Sequence, residues 1–433
     1  MSNKKLKVLL IVEQCNPDWA SVHLVGYNYF IGINNLVEAT LGTHIRNKQA
    51  LEKRPEYEKF FYLEAGKLSK QYYRRIKKFT ANGRVNWPLY KAFISRIYEK
   101  FNQQVYQKLP GKILNGDYDI VHAITPIMPR YPCKVVSMCQ PTPFILGPVN
   151  GGLPFLPGFQ ETARQEFAQF NFLRAVGRAL IPGYVETYKK ADKVLPGSTY
   201  TLNLLKKLFA IPDQRIELFY ENGISQDFLR SAKPAKEEGS QINLLFVGRL
   251  VPYKCADVVI ESIGKLGQAI QSKIRLTIVG DGSERNNLEN RVKELNLAEI
   301  VSFAGWVNQS ETLDYYRKAD IFCFPSIREF GGAVVIEAMA CGLPCIVANN
   351  GGIGEYVTEE TGFKIEPISR EYLTQELTSK IKMLVEDDKL RESMSAKAIE
   401  RAKEFEWDRK AEKIVEIYQK TIGEKARTLT QNK

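Results

Sequence analysis

Residues Ile321 to Tyr356, IFCFPSIREFGGAVVIEAMACGLPCIVANNGGIGEY, read as strand, loop, helix, strand, loop. A short apolar strand, Ile321 to Phe324, stops at Pro325, and Gly331-Gly332 interrupts regular structure before AVVIEAMA, a run that can continue as a helix. The stretch sets Glu329, Gly331, Gly332 and Glu337 across a loop-to-helix junction. Glu329 falls in the loop and Glu337 in the first turns of the helix, so the two acids need not share a helix face. Glycines without side chains let a ligand approach the backbone, and the N–H groups at the positive end of a helix suit a phosphate. Taken alone, the same pattern also describes an ordinary buried strand-helix-strand unit with turn-forming glycines and solvated glutamates. The rest of the chain decides between the two.

Upstream, the second half alternates regularly. Strand INLLFVG meets Gly248-Arg249-Leu250 and then Lys254 ahead of the helix ADVVIESIGKL. Strand RLTIVG ends at Gly280, with Asp281-Gly282 ahead of a helix around Leu288 to Leu295, and IVSFAG runs into Trp306-Val307. Each strand is followed by a glycine and then a helix, the layout of a doubly wound parallel sheet whose loops gather along one edge. Arg249 and Lys254 fall on that edge and can neutralise a diphosphate, Arg through a bidentate fork and Lys as a point charge. Beside an acid-Gly-Gly-acid loop they match the needs of a nucleotide-sugar, with one carboxylate for ribose hydroxyls and one for sugar hydroxyls. The tail, Tyr372 to Ile422, is helical by period, with Leu373, Leu377, Ile381 and Leu384 as one stripe.

The 433 residues suffice for two domains, since single cores stop growing near ~250–300 residues. The first half opens with the strand KVLLIV, a loop from Glu13 to Asp18, and the helical WASVHLVGYNYFIGINNLVEA. YDIVHAI is a further strand, with His122 near its end; Asp117-Tyr118-Asp119 before it reads as a turn rather than a metal motif. PFILG runs into Gly147-Pro148-Val149-Asn150-Gly151-Gly152, which cannot be helical. A helix from Glu161 to Leu180 and strand-like ADKVLPGS and ELFYENGI follow, and the polar SAKPAKEEGSQ is the linker. The domains are therefore read as 1–230, 242–405 after a linker at 231–241, and a C-terminal segment at 406–433.

The net charge of +12 is uneven. Residues 1–230 hold 32 Lys and Arg against 18 Asp and Glu, whereas 231–433 hold 29 against 31. The segment 46–112 has 17 bases and 5 acids. Within it, GKLSKQYYRRIKKF places Leu68, Tyr72, Ile76 and Phe79 at helical spacing among lysines and arginines, the pattern of a surface resting on anionic lipid or of a helix with a solvated basic face. A second amphipathic helix, Leu89 to Tyr106, reads as ordinary packing. No apolar stretch approaches the ~18–20 residues of a membrane span, and the apolar run before Glu13 is too short for a secretory signal. The expected location is cytoplasmic, peripheral at the inner face of the plasma membrane if the basic region binds lipid. Seven dispersed cysteines read as reduced, buried thiols, without a zinc pattern.

With Gly248-Arg249-Leu250 and Lys254 followed by E-F-G-G-x4-E-A-M-A-C-G-L-P, the second half resembles the retaining glycosyltransferases of family four, which have the two-domain GT-B fold. NPDWASVHLVG, VHAITP and LGPVNGG resemble a bacterial branch of that family more loosely. The resemblance implies an α/β chain of two Rossmann-like doubly wound domains facing across a cleft. The C-terminal domain would hold a UDP- or GDP-hexose donor, the N-terminal one a glycan or lipid-linked acceptor, with no metal or other cofactor. Carried over by position, Arg249 and Lys254 bind the diphosphate, Glu337 the ribose, and Glu329 with the Gly331-Gly332 backbone the transferred sugar and phosphate. Gly280 and Val307 join the donor site, His122 faces the sugar near the anomeric centre, and the last helix crosses back to the N-terminal domain. The glycine usual after the Lys is Cys255 here, which puts the close backbone approach at that turn in question. Two alternatives remain at this level: a sugar-nucleotide epimerase of the same architecture, and a nucleic-acid-binding protein suggested by the pI of 9.1. Against the latter, the basic excess is regional and no nucleic-acid module is recognisable.

Overall fold

The computed structural model describes residues 5–54, 60–63, 81–82, 84–85, 87–127, 132–230 and 241–431. The chain forms two compact units, one from Met1–Gly152, Phe167–Glu221 and Trp407–Lys433, the other from Leu153–Glu166 and Asn222–Glu406. The basic segment Lys67 to Phe79 and the linker at 231–240 lie outside the described residues.

The first unit is built on strands β1 (Lys7–Val12), β2 (Glu38–His44), β3 (Phe60–Leu63), β6 (Ile120–Thr125), β7 (Phe144–Val149) and β8 (Lys193–Pro196); β4 (Ala81–Asn82) and β5 (Arg84–Val85) form a separate two-stranded ribbon. The main sheet has the order β3-β2-β1-β6-β7-β8 with every pairing parallel. Parallel strands need crossover connections, which cover both faces and make the strands apolar throughout. Accordingly β6, IVHAIT, is buried along its whole length. The helix Val22–Leu36 covers one face with Tyr29, Phe30 and Ile33, and Trp87–Lys108 sends Phe101 and Val105 into the cluster on the other.

The second unit contains β9 (Ile242–Val247), β10 (Ile274–Val279), β11 (Val301–Gly305), β12 (Ile321–Phe324), β13 (Cys345–Ala348) and β14 (Gly362–Ile365), in the order β11-β10-β9-β12-β13-β14, again all parallel. The strand order reverses between β1 and β6 in one sheet and between β9 and β12 in the other. In open α/β sheets such a reversal leaves a crevice beyond the carboxyl ends of the two central strands. The stripe Leu373, Leu377, Ile381 and Leu384 is fully buried on the helix Arg370–Glu386, and all seven cysteines are free and buried.

Three stretches depart from the sequence reading. The helix expected to run to Ala39 ends at Leu36, and EATLGTH is β2. ELFYENGI lies beside β8, where the N–H groups of Glu217 and Phe219 donate to the carbonyls of Val194 and Pro196, but it forms no ladder there, the isolated bridge to Val194 being made by Ile216 just before it. The single helix expected over Glu161 to Leu180 is broken into Gln160–Gln165, the 3-10 turn Ala168–Phe172 and Leu173–Leu180. The break is at Phe167, whose φ of 56° lies in the left-handed region that no α-helix can include.

The last helix, Trp407–Gln431, packs in the first unit and buries Ile414, Ile417 and Tyr418 in the same cluster as β1 and the helix Val22–Leu36. Tyr418 Oη lies 2.7 Å from Nδ1 of His122, whose Nε2 lies 2.7 Å from the Gly147 carbonyl. A carbonyl only accepts, so Nε2 carries the proton and Nδ1 accepts from the tyrosine hydroxyl. Burial pushes the His122 pKa down to about 4, and the ring is neutral at physiological pH. Tyr418→Phe removes the donor and leaves a buried ring nitrogen unpaired. It should cost about 1–3 kcal/mol in denaturant unfolding, with the two-sheet architecture retained by circular dichroism.

Candidate functional site

β9 and β12 are hydrogen-bonded neighbours, with Ile321 opposite Leu244 and Phe322 opposite Leu245, so the loops after them leave the sheet side by side. The loop after β9 runs through Arg249 into a 3-10 turn, Pro252–Lys254, and Cys255 then starts the helix Ala256–Gly264. The Tyr253 carbonyl accepts from the Ile327 N–H at 3.0 Å and from Ser326 Oγ at 3.3 Å, stitching this turn to the loop after β12. Across that seam Lys254 Nζ pairs with Glu329 Oε2. Their side chains are only 11% and 17% exposed, and the ammonium also lies 4.7 Å from the Phe324 ring centroid. An ammonium has three donors, so the pair leaves Lys254 able to bond an incoming anion. Arg249 donates to Tyr253 Oη at 2.7 Å, and burial pushes the Tyr253 phenol up to about 12, keeping it protonated.

Cys255 adopts φ 56° and ψ 39°. A left-handed turn at this position accounts for a glycine being usual there. Here the cost to a side-chain-bearing residue is offset in part by complete burial of the thiol.

After β12, Gly332 (φ 69°) ends the loop and starts the helix Ala333–Ala340. A Cβ there would lie 2.3 Å from Ile353 Cγ2 and 2.9 Å from Glu329 Cγ. The backbone of Glu329 is held in turn by the loop after β13. Glu329 and Gly351 form a parallel bridge, the Gly352 N–H donates to the Phe330 carbonyl at 3.0 Å, and Asn350 Nδ2 donates to the Ile327 carbonyl at 2.7 Å. Gly351 has φ 72°, and a Cβ on it would meet the Glu329 carbonyl oxygen at 2.0 Å.

Glu337 is buried on the helix Ala333–Ala340 and accepts from Tyr316 Oη at 2.9 Å. Burial and the adjacent carboxylate hold the Tyr316 phenol well above its ordinary value, so it stays a donor. Gly280 ends β10, its N–H bonded to the Gly305 carbonyl at 2.7 Å, and Val307 is half-buried beside the 72% exposed Trp306 after β11. The structure therefore brings Lys254, Glu329 and Gly332 into one seam, with Arg249 at its edge through Tyr253. Glu337 is anchored separately by Tyr316, and Gly280 and Val307 lie at the same carboxyl edge of the sheet.

His122 belongs to the other unit. It lies within β6, is 0% exposed, and has its two ring nitrogens hydrogen-bonded to the Gly147 carbonyl and to Tyr418 of the last helix. The Gly147 to Gly152 loop is similarly fixed from within its own unit. Asn150 Oδ1 accepts from Ser198 Oγ at 2.9 Å and from Thr201 Oγ1 at 2.8 Å, and Thr201 Oγ1 also accepts from the Gly151 N–H at 3.1 Å. Sequence reasoning did not single out Tyr253, Tyr316, Asn350 and Gly351. Tyr253, adjacent to Lys254, and Asn350 and Gly351, inside the quoted stretch, carried a local signal, and Tyr316 carried none. Among the described residues no group of three or more His, Cys, Asp or Glu is gathered to hold a metal ion.

Two doubly wound parallel sheets, with cations and an acid-Gly-Gly loop at the switch point of the second, define the GT-B glycosyltransferase architecture. Residues 227–401 match the family glycosyl transferases group 1. A D-inositol 3-phosphate glycosyltransferase of Kineococcus radiotolerans is 30% identical over 196 residues, covering 42% of this chain and 45% of that protein. A Campylobacter jejuni N-acetylgalactosamine-N,N'-diacetylbacillosaminyl-diphospho-undecaprenol 4-alpha-N-acetylgalactosaminyltransferase is 32% identical over 223 residues, 51% of this chain and 58% of that one. The matched stretches span about half the length of these curated relatives. The crystal structure of Anabaena HepE in complex with UDP shares the fold, with a TM-score of 0.63 at 17% identity over 96% of this chain and 100% of that chain.

Gly351→Ala should cost about 1–3 kcal/mol in denaturant unfolding, because its Cβ has to displace the Glu329 backbone. Gly267→Ala, where an added Cβ meets nothing within 4 Å, should leave stability unchanged.

Proposed function

We propose that this chain is a retaining glycosyltransferase that moves a hexose from a UDP- or GDP-hexose to a hydroxyl of a glycan carried on a lipid. The observation that carries this reading is the Lys254–Glu329 pair at the switch point, next to the Gly332 helix start. It combines a cation for a diphosphate, N–H groups for the same anion and a carboxylate for sugar hydroxyls. HepE, of the same fold, has been solved with UDP and with UDP-glucose, which supports a uridine nucleotide as the first donor to test. The Campylobacter relative acts, by its name, on a sugar linked to diphospho-undecaprenol, which supports a lipid-linked acceptor. The basic excess of residues 46–112 fits an anionic membrane partner for the same reason.

In the proposed reaction the bond from the anomeric carbon to the β-phosphate oxygen breaks, and a bond to the acceptor oxygen forms on the same face. The acceptor proton passes to the departing diphosphate. Negative charge grows on that leaving group, so Arg249, Lys254 and the helix N-terminus at Gly332 stabilise the transition state more than the ground state. Glu329 takes the sugar hydroxyls, and Glu337, oriented by Tyr316, takes the ribose. His122 contributes rigidity only. These cations take the part that a divalent metal takes elsewhere, and none is needed in this scheme.

Lys254→Ala and Glu329→Ala should each reduce transfer by at least a thousandfold, with the folded baseline of a thermal melt unchanged. Near-normal turnover in both variants would overturn the site assignment. A thermal-shift screen of UDP- and GDP-hexoses should find a stabilising donor, and the anomeric configuration of the product, read by NMR, checks retention. Excess EDTA should leave the rate unchanged.

A further inference from the structure

The helix Leu173–Leu180 of the first unit, LRAVGRAL, is amphipathic in the inverted sense. With Phe172 just before it, the residues at positions 172, 175, 176, 179 and 180 are Phe, Ala, Val, Ala and Leu, and all are exposed. Phe172 is 60%, Val176 41% and Leu180 73% exposed. Their spacing of three and four places them on one helix face. A surface helix of a globular protein turns such a face inward, yet here the inward positions are Leu173, Gly177 and Arg178, only half-buried. The exposed row continues past the helix through Pro182 and Val185. It follows the left-handed break at Phe167, which ends the preceding helix and frees this segment from its direction.

The surroundings identify what fits this face. Trp87–Lys108 packs against both the 3-10 turn Ala168–Phe172 and the helix, and its sequence holds Lys91, Arg96, Lys100 and Lys108 against Glu99 alone. Lys100 and Lys108 are exposed, as is Tyr106 at 41%, and Lys189 is exposed on the next helix. An exposed apolar row on a helix packed against a basic one suits the interface of an anionic bilayer, where the side chains enter the acyl boundary and the cations meet phosphate headgroups. The helix has eight residues, about 12 Å by its rise, and among the described residues no helix is long and apolar enough to cross a membrane. A second copy of the chain is a poorer occupant. A stable protein interface buries roughly 800 Å² on each partner, more than one short row of this kind supplies.

We propose that Phe172, Val176 and Leu180 form an in-plane membrane anchor that inserts into anionic lipid. The element is separate from the segment Lys67 to Phe79, and it stands whether or not the transfer reading holds, because lipid binding is measured without turnover. The test uses the full chain and vesicles of phosphatidylcholine with and without one third phosphatidylglycerol. The native protein should float with the anionic vesicles, and F172S/L180S should lower the bound fraction at least tenfold at equal protein. Since both side chains face solvent, the melting temperature should not fall. Leu180→Trp should show a blue-shifted emission, quenched by brominated acyl chains, only when anionic vesicles are present. Flotation undiminished in F172S/L180S, no flotation of the native chain, or a Leu180→Trp emission that brominated lipid does not quench would each overturn the anchor. A concentration-dependent dimer lost in the same double variant would replace it with a self-association surface.

Discussion

The ion pair between Lys254 and Glu329 exists because β9 and β12, far apart in the chain, are parallel neighbours at the point where the strand order reverses. Each residue leaves the end of its own strand on a short loop, and backbone bonds from Ser326 and Ile327 to the Tyr253 carbonyl lock those loops together. A largely buried pair of this kind adds little to stability, because the cost of dehydrating both ions offsets most of their attraction. Under the proposed function its presence holds two opposite charges ready for a ligand that needs both. An anion can draw the ammonium while hydroxyls bond to the carboxylate, so the dehydration has already been met when the ligand arrives.

Around that pair the backbone is fixed from three sides. Cys255 turns left-handed behind Lys254, Gly332 turns left-handed behind Glu329, and Gly351 presses directly on the Glu329 carbonyl. Each departure from ordinary backbone lies within a few residues of the pair or of the loop that grips it.

The second sheet was legible from its alternation of apolar strand, glycine and helix, and the place of Arg249, Lys254 and Glu329 in loops after strands was legible because motif and strand end coincide. The supporting residues were not. Tyr316 reaches Glu337 from another helix, and Asn350 grips the Ile327 carbonyl through the loop after the next strand. Such partners are set by packing and leave no periodic trace. For His122 the sugar-facing role came from the resemblance alone, and strand alternation cannot say whether a polar group inside a sheet finds its partners within the protein. Here Gly147 and Tyr418 supply them, the latter from 296 residues away.

The helix Leu173–Leu180 was hidden for a different reason. Sequence periodicity detects an apolar face but assumes that it points inward, and a stretch read as one helix from Glu161 to Leu180 carries a single face throughout. The left-handed Phe167 breaks that continuity and lets the second piece turn its apolar side out. Placing Phe172 and Leu180 in water forgoes roughly 1.5–3 kcal/mol for each side chain left unburied. Contiguous exposed apolar patches of this kind mark sites of interaction with a protein or a membrane. The uneven charge of the chain follows the same division: the half that carries the row carries the whole basic excess, and the half that carries the Lys254–Glu329 seam is nearly neutral.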